Sequence, residues 1–156
     1  MGIRRRGRII AFQALYGWEF TQAPVEDVVP FGWLRQVSTA IGEPQPDPDA
    51  DGDNDDLTFP RLLVAGTLQN IEAIDRTIRD QLEHWDFNRV GKVDLAILRI
   101  SVYALLFQPD IPASVTIDEA IDIAKAFGTD ESYKFINGVL DGIRKSHCTS
   151  SPGSGA

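Results

Sequence analysis

The chain has 156 residues, 43% of them hydrophobic, with 15 Lys+Arg against 23 Asp+Glu and a formal net charge of −8. That size and balance suit one globular domain with a core, and exclude a chain too polar to fold. The negative charge excludes a protein that grips nucleic acid over its whole surface, so any such site must be local.

The first predicted element is a helix over residues 4–22, where Ala11, Leu15 and Trp18 recur at helical spacing and Ile10 and Ala14 widen the stripe. It opens R-R-R-G-R, which crowds Arg4, Arg5, Arg6 and Arg8 into its first two turns. Arginines are unfavourable beside the positive end of a helix dipole. The same end attracts anions through its free N–H groups. Spaced i, i+1 and i+4, Arg4, Arg5 and Arg8 are predicted to share one face, a cluster suited to a phosphate backbone. A solvated basic end is the plainer alternative. The following run, IIAFQALYGWEF, contains Gln13 and Glu19 and leads to no small-residue cleavage pattern, which argues against a signal peptide. No stretch approaches the ~20 apolar residues of a membrane span.

A second helix is predicted over residues 25–41, with Pro30 breaking or delaying it. Residues 42–56 form a predicted disordered acidic loop inside the domain. Its core, EPQPDPDADGDNDD, has three prolines, seven acids and no large apolar residue to offset the entropy of ordering. A calcium loop starting at Asp47 would have Gly52 at its sixth position but Thr58 where a closing Glu belongs, so a solvated linker is the better reading.

A long helix is predicted over 57–82, then a break over 84–90. The next helix, 92–107, is apolar nearly all round, which marks it as central. Pro109 and Pro112 end it. Thr116 and Glu119 have capping-box spacing, with Ile117, Ala120, Ile121, Ala124 and Phe127 behind them as a core stripe. Gly128 is the expected C-cap, and Thr129 is expected to cap a last helix over 130–145. Residues 146–156 read as a disordered tail. No region alternates like a strand. The fold class is therefore all-α, with about six or seven helices in a domain over residues 1–145.

Catalytic sets are missing. The two histidines, His84 and His147, sit in a turn and the tail, and there is no HExxH, paired cysteine or phosphate-cradling glycine loop. The chain is expected to be no enzyme and to need no cofactor or metal. The lone Cys148 allows no intramolecular disulfide and suits a reducing cytoplasm. One further stretch stands out, G-T-D-E-S-Y-K-F-I-N-G at 128–138, with Lys134 and Phe135 near a helix start. Phe135 is either core or an aromatic that stacks an unpaired base beside a phosphate-holding lysine. Asn137 suits either a structural hydrogen bond or a base edge.

Four segments resemble the NusB family of bacterial transcription antitermination factors. They are R-R-R-G-R-I-I-A-F-Q-A-L-Y-G-W-E, K-V-D-L-A-I-L-R-I-S-V-Y-A-L-L, P-D-I-P-A-S-V-T-I-D-E-A-I-D-I-A-K-A-F-G and D-E-S-Y-K-F-I-N-G-V-L-D-G-I. Their order and spacing agree with the family over about residues 2–145. The resemblance implies two packed helical halves. It also implies binding of the single-stranded boxA RNA of ribosomal RNA operon leaders as a heterodimer with NusE, a small-subunit ribosomal protein, and joining of RNA polymerase with other Nus factors. It assigns RNA contact to Arg4, Arg5, Arg6, Arg8, Lys134, Phe135 and Asn137, and partner contact to Tyr16 and Asp94. Two residues depart from the family pattern: Leu95 stands at a usual Arg or Lys and Ala104 at a usual Glu, both expected near the partner surface.

Two other readings compete. A ribosomal RNA cytosine methyltransferase with an N-terminal domain of this kind would need a second, cofactor-binding domain, and the 156 residues hold none. A helical protein–protein adaptor without RNA binding is the alternative, and the arginine cluster speaks against it. Homodimerisation is a further option that the sequence leaves open.

Overall fold

The computed structural model describes residues 3–28, 58–82 and 86–147, apart from the side chains of residues 3 and 4. The predicted acidic loop over 42–56, most of the second predicted helix, His84 and Cys148 lie outside those residues. The described elements are helices α1 (Ile3–Thr21), α2 (Val25–Val28), α3 (Thr58–Gln69), α4 (Ile71–Gln81), α5 (Lys92–Phe107), α6 (Ala113–Phe127) and α7 (Ser132–His147), with a 3-10 turn at Phe87–Arg89. No strand occurs among the described residues. The all-α reading holds.

The central helix is α5. Every residue from Leu95 to Leu105 is buried, so it can only be covered on all sides. It packs against α1, α3, α4, α6 and α7. The halves share one continuous core that includes Leu15, Leu63, Ile78, Ile97, Leu98, Ile136 and Leu140. Gly66 lets α3 approach α5 closely, because a Cβ there would lie 2.2 Å from the Tyr103 ring.

Several local expectations are corrected. The single helix over 57–82 is two helices that meet at Asn70. The Asn70 side-chain Nδ2 donates to the Gly66 carbonyl at 2.8 Å, a local bond that competes with helix continuation. The Thr116–Glu119 capping box does not form. Helix α6 starts at Ala113 behind Pro112, Thr116 is buried within it, and Glu119 binds Arg5 instead. Proline pre-sets φ, which moves the helix start one turn upstream. Helix α7 starts at Ser132, whose hydroxyl accepts from the Thr129 N–H at 2.9 Å. It runs on to His147, through the first two residues of the predicted tail.

Gly128 does cap α6, in an extended conformation with φ −96°. It is glycine for space, since a Cβ would lie 2.6 Å from Ser132 Oγ and 2.8 Å from the Ala124 carbonyl oxygen. At the end of α1, Gln22 takes the left-handed φ of 52° usual for a terminating residue, and its N–H reaches the Trp18 carbonyl at 2.7 Å.

Candidate nucleic-acid interface

Arg5, Arg6 and Arg8 do not share one exposed face of α1. Arg8 falls on the stripe 8, 11, 12 and 15, and its neighbours Ala11, Phe12 and Leu15 are core. Its side chain is accordingly buried, 7% exposed, with the guanidinium 5.4 Å from the Phe59 ring centre. The structure therefore places Arg8 in the interior, whereas Arg6 is exposed. The signal was present in the spacing: Arg8 occupies a core phase of the helix.

Arg5 sits at the edge of that stripe. Its Nε donates to Glu119 at 3.1 Å and its Nη2 donates to Asp122, both on α6. The hydrogen bond that Arg5 donates to Glu119, with the charges of Glu119 and Asp122, raises the Arg5 pKa above its ordinary value. Arg6 is exposed, and the side chain of Arg4 lies outside the described residues.

Further along α6, Lys125 sits 5.1 Å above the Tyr133 ring, and Lys134 approaches the same ring at 5.9 Å. Lys134 is largely exposed and only loosely paired, with Glu131 at 4.0 Å. Phe135 is half-buried and packs against the core, and Asn137 is exposed. The α6–α7 corner thus presents two cations around an aromatic ring. Lys125 and Tyr133 were not legible as a pair. They are eight positions apart and meet only because α6 and α7 fold back on each other.

Asp94, in the first turn of α5, lines a groove of about 530 Å³ together with Lys134 and Phe135. Tyr16 lies elsewhere. It is 39% exposed, meets Phe20 edge-on at 5.2 Å, and lines a separate groove of about 470 Å³ with Trp18 and Val28. The structure therefore joins Asp94 to the predicted RNA residues and leaves Tyr16 with a different, aromatic surface. The two departures, Leu95 and Ala104, are both buried in the core, not on an exposed partner surface.

An ion cluster around the buried Arg99 joins α1, α4 and α5. Arg99 donates to Asp75 at 2.9 and 3.0 Å and to Glu19, and Lys92 donates to Glu19 at 3.0 Å. Burial alone would lower the Arg99 pKa, but the hydrogen bonds and charges of Asp75 and Glu19 hold it above its ordinary value. Burial pushes the Glu19 carboxyl up, and Arg99 and Lys92 outweigh it and keep the pKa below the usual range. Among the described residues no group of three or more metal-ligating side chains occurs, and no helix is long and apolar enough to cross a membrane.

The NusB family model matches residues 5–145. The transcription antitermination protein NusB of Treponema pallidum (strain Nichols) is 50% identical over 143 residues, 92% of this chain and 93% of that protein. The structure of NusB from T. maritima superposes with a TM-score of 0.72 at 40% identity, covering 92% of each chain. A crystal structure of antitermination factors NusB and NusE in complex with dsRNA superposes with a TM-score of 0.72 at 25% identity, covering 94% of this chain and 98% of that one. Because the match takes in the basic α1, the buried α5 and the α6–α7 corner alike, the chain belongs to the NusB family.

Proposed function

We propose that this protein is a transcription antitermination factor that binds the boxA element of ribosomal RNA leaders together with NusE, and joins RNA polymerase with other Nus factors in the cytoplasm. The observation that carries the reading is the cationic corner at the start of α7, where Lys134 and Phe135 line one groove, in a chain related to a NusB solved with NusE and RNA. Arg4, Arg5, Arg6 and Lys134 neutralise phosphates, Phe135 stacks a base, and Asn137 meets a base edge. Arg8 acts from inside, by packing the start of α1. Tyr16 and Phe20 offer an exposed aromatic face for NusE, with Asp94 as a second contact.

Phosphate neutralisation supplies most of the affinity, with stacking adding about 1–3 kcal/mol per base. The net charge of −8 holds back RNA that does not engage the local cations.

The related complex contains dsRNA, while the proposed ligand is a single strand, so the test includes both forms. Fluorescence anisotropy with labelled single-stranded boxA, a scrambled strand and a duplex, at two salt concentrations and with or without NusE, decides it. Preference for boxA that strengthens with NusE supports the reading. No binding to any RNA at low salt, with NusE present, overturns it. Retained NusE binding in that case would favour the helical adaptor, to which the exposed Tyr16 and Phe20 also point.

A further inference from the structure

We infer that Arg89 is a further RNA-holding residue, set across the groove from Lys134 so that one unpaired nucleotide lies between the two cations and against the Phe135 ring. The inference rests on the RNA-binding reading above and adds to it a residue from a different part of the chain.

The groove has two walls. Arg89, Gly91 and Asp94 come from the turn before α5 and its first residues, and Glu131, Lys134 and Phe135 come from the start of α7. Its volume of about 530 Å³ lies in the range of sites that hold small organic ligands. Arg89 ends the 3-10 turn, and the backbone of that turn is held firmly. The Asp86 side chain accepts from the Asn88 N–H at 3.0 Å, and the Asp86 carbonyl accepts from the Arg89 N–H at 2.9 Å. Val90 is buried next to it, and the Phe87 ring lies 4.4 Å from the Arg79 guanidinium. An exposed arginine thus extends from an anchored base.

Its setting differs from that of Arg5, Arg99 and Arg144. Arg5, Arg99 and Arg144 each hold a carboxylate, whereas no carboxylate of the described residues is within ion-pair distance of Arg89. The guanidinium is therefore open to an anion from outside. Gly91 also lines the groove, and a Cβ there would meet only Asp94 Oδ2, at 3.9 Å. The groove also contains the carboxylates of Asp94 and Glu131. Both signs together disfavour a simple polyanion and fit a nucleotide. Its phosphate takes the cations, its exocyclic amino edge can donate to a carboxylate, and its ring stacks on Phe135.

The test uses the full chain with NusE and a short single-stranded boxA RNA, read by anisotropy at about 50 and about 200 mM salt. Arg89→Ala is expected to weaken binding about 3- to 10-fold at the lower salt and to reduce the salt slope by about one. Arg89→Lys should keep most of both. Gly91→Leu should fill the groove and weaken binding while leaving the salt slope unchanged, since it removes no cation. Thermal unfolding of Arg89→Ala should match the unmutated chain. If Arg89→Ala and Arg89→Glu bind with unchanged affinity and slope while Lys134→Ala weakens binding, the inference is lost and the RNA reading stands. If the unmutated chain binds no RNA, both fall together.

Discussion

Two arginines in this protein each stand between two carboxylates, in regions that differ only in their access to water. Arg99 lies in the core between Glu19 and Asp75, 5% exposed at its side chain. Arg5 lies at the surface between Glu119 and Asp122, 42% exposed. Around Arg99 water has little access, so it replaces a lost partner poorly and each charge depends on the others. At the surface water screens the pairing, and an outside anion can compete for the guanidinium. The same triad is thus a brace in one place and an exchangeable contact in the other.

Removing the core arginine breaks this comparison most strongly. Arg99→Ala leaves the partly buried carboxylates of Glu19 and Asp75 without their shared cation and is expected to lose about 3–5 kcal/mol, a fall in Tm of about 10 °C by calorimetry. Arg8→Ala should come next, with a loss of about 2–4 kcal/mol from an interior position, and with RNA affinity of the folded protein within about twofold of the original. A large loss of affinity without loss of stability would return Arg8 to the surface role its sequence suggests.

Acid should act on the core triad through Glu19. The folded pKa of Glu19 is depressed, so its contribution is fully present above its unfolded value of about 4.3 and is lost as pH falls through the folded pKa. Thermal melts between pH 7 and pH 3 should steepen their decline below about pH 4.5, and Glu19→Gln should flatten that decline.

The surface triad should report on RNA instead. Arg5→Ala is expected to leave Tm within about 2 °C and to weaken boxA binding several-fold. The smallest effect is expected for Glu119→Gln with Asp122→Asn, which releases Arg5. RNA affinity at low salt should rise about threefold, and the gain should fade at high salt. A drop in affinity would mean instead that the carboxylates aim Arg5 at the strand.

Much of the architecture was legible because it repeats along the chain. The eleven consecutive buried residues of α5 leave no polar face, so a central helix is the only placement that covers them. The stripe Ala11, Leu15 and Trp18 forecasts α1, and Pro109 and Pro112 forecast the break before α6. What escaped was decided by single local contacts. Asn70 turns its side chain back on Gly66 and divides a helix whose hydrophobic period runs on unbroken. Thr116 has capping-box spacing, but Pro112 starts the helix first.

The site was legible as charge and opaque as geometry. Four arginines at one end and a Lys-Phe pair near the other can be read from the letters alone. The helical phase of Arg8 could have been read too, since it shares the stripe of Ala11 and Leu15. The pairing of Lys125 with Tyr133, the grip of Glu119 and Asp122 on Arg5, and the groove shared by Arg89, Asp94 and Lys134 could not. By itself the sequence determined an all-helical chain with a buried middle helix and a cationic start, because hydrophobic period and charge are local properties. Only the tertiary structure decided which cations face water, because exposure depends on how α1, α6 and α7 close around α5.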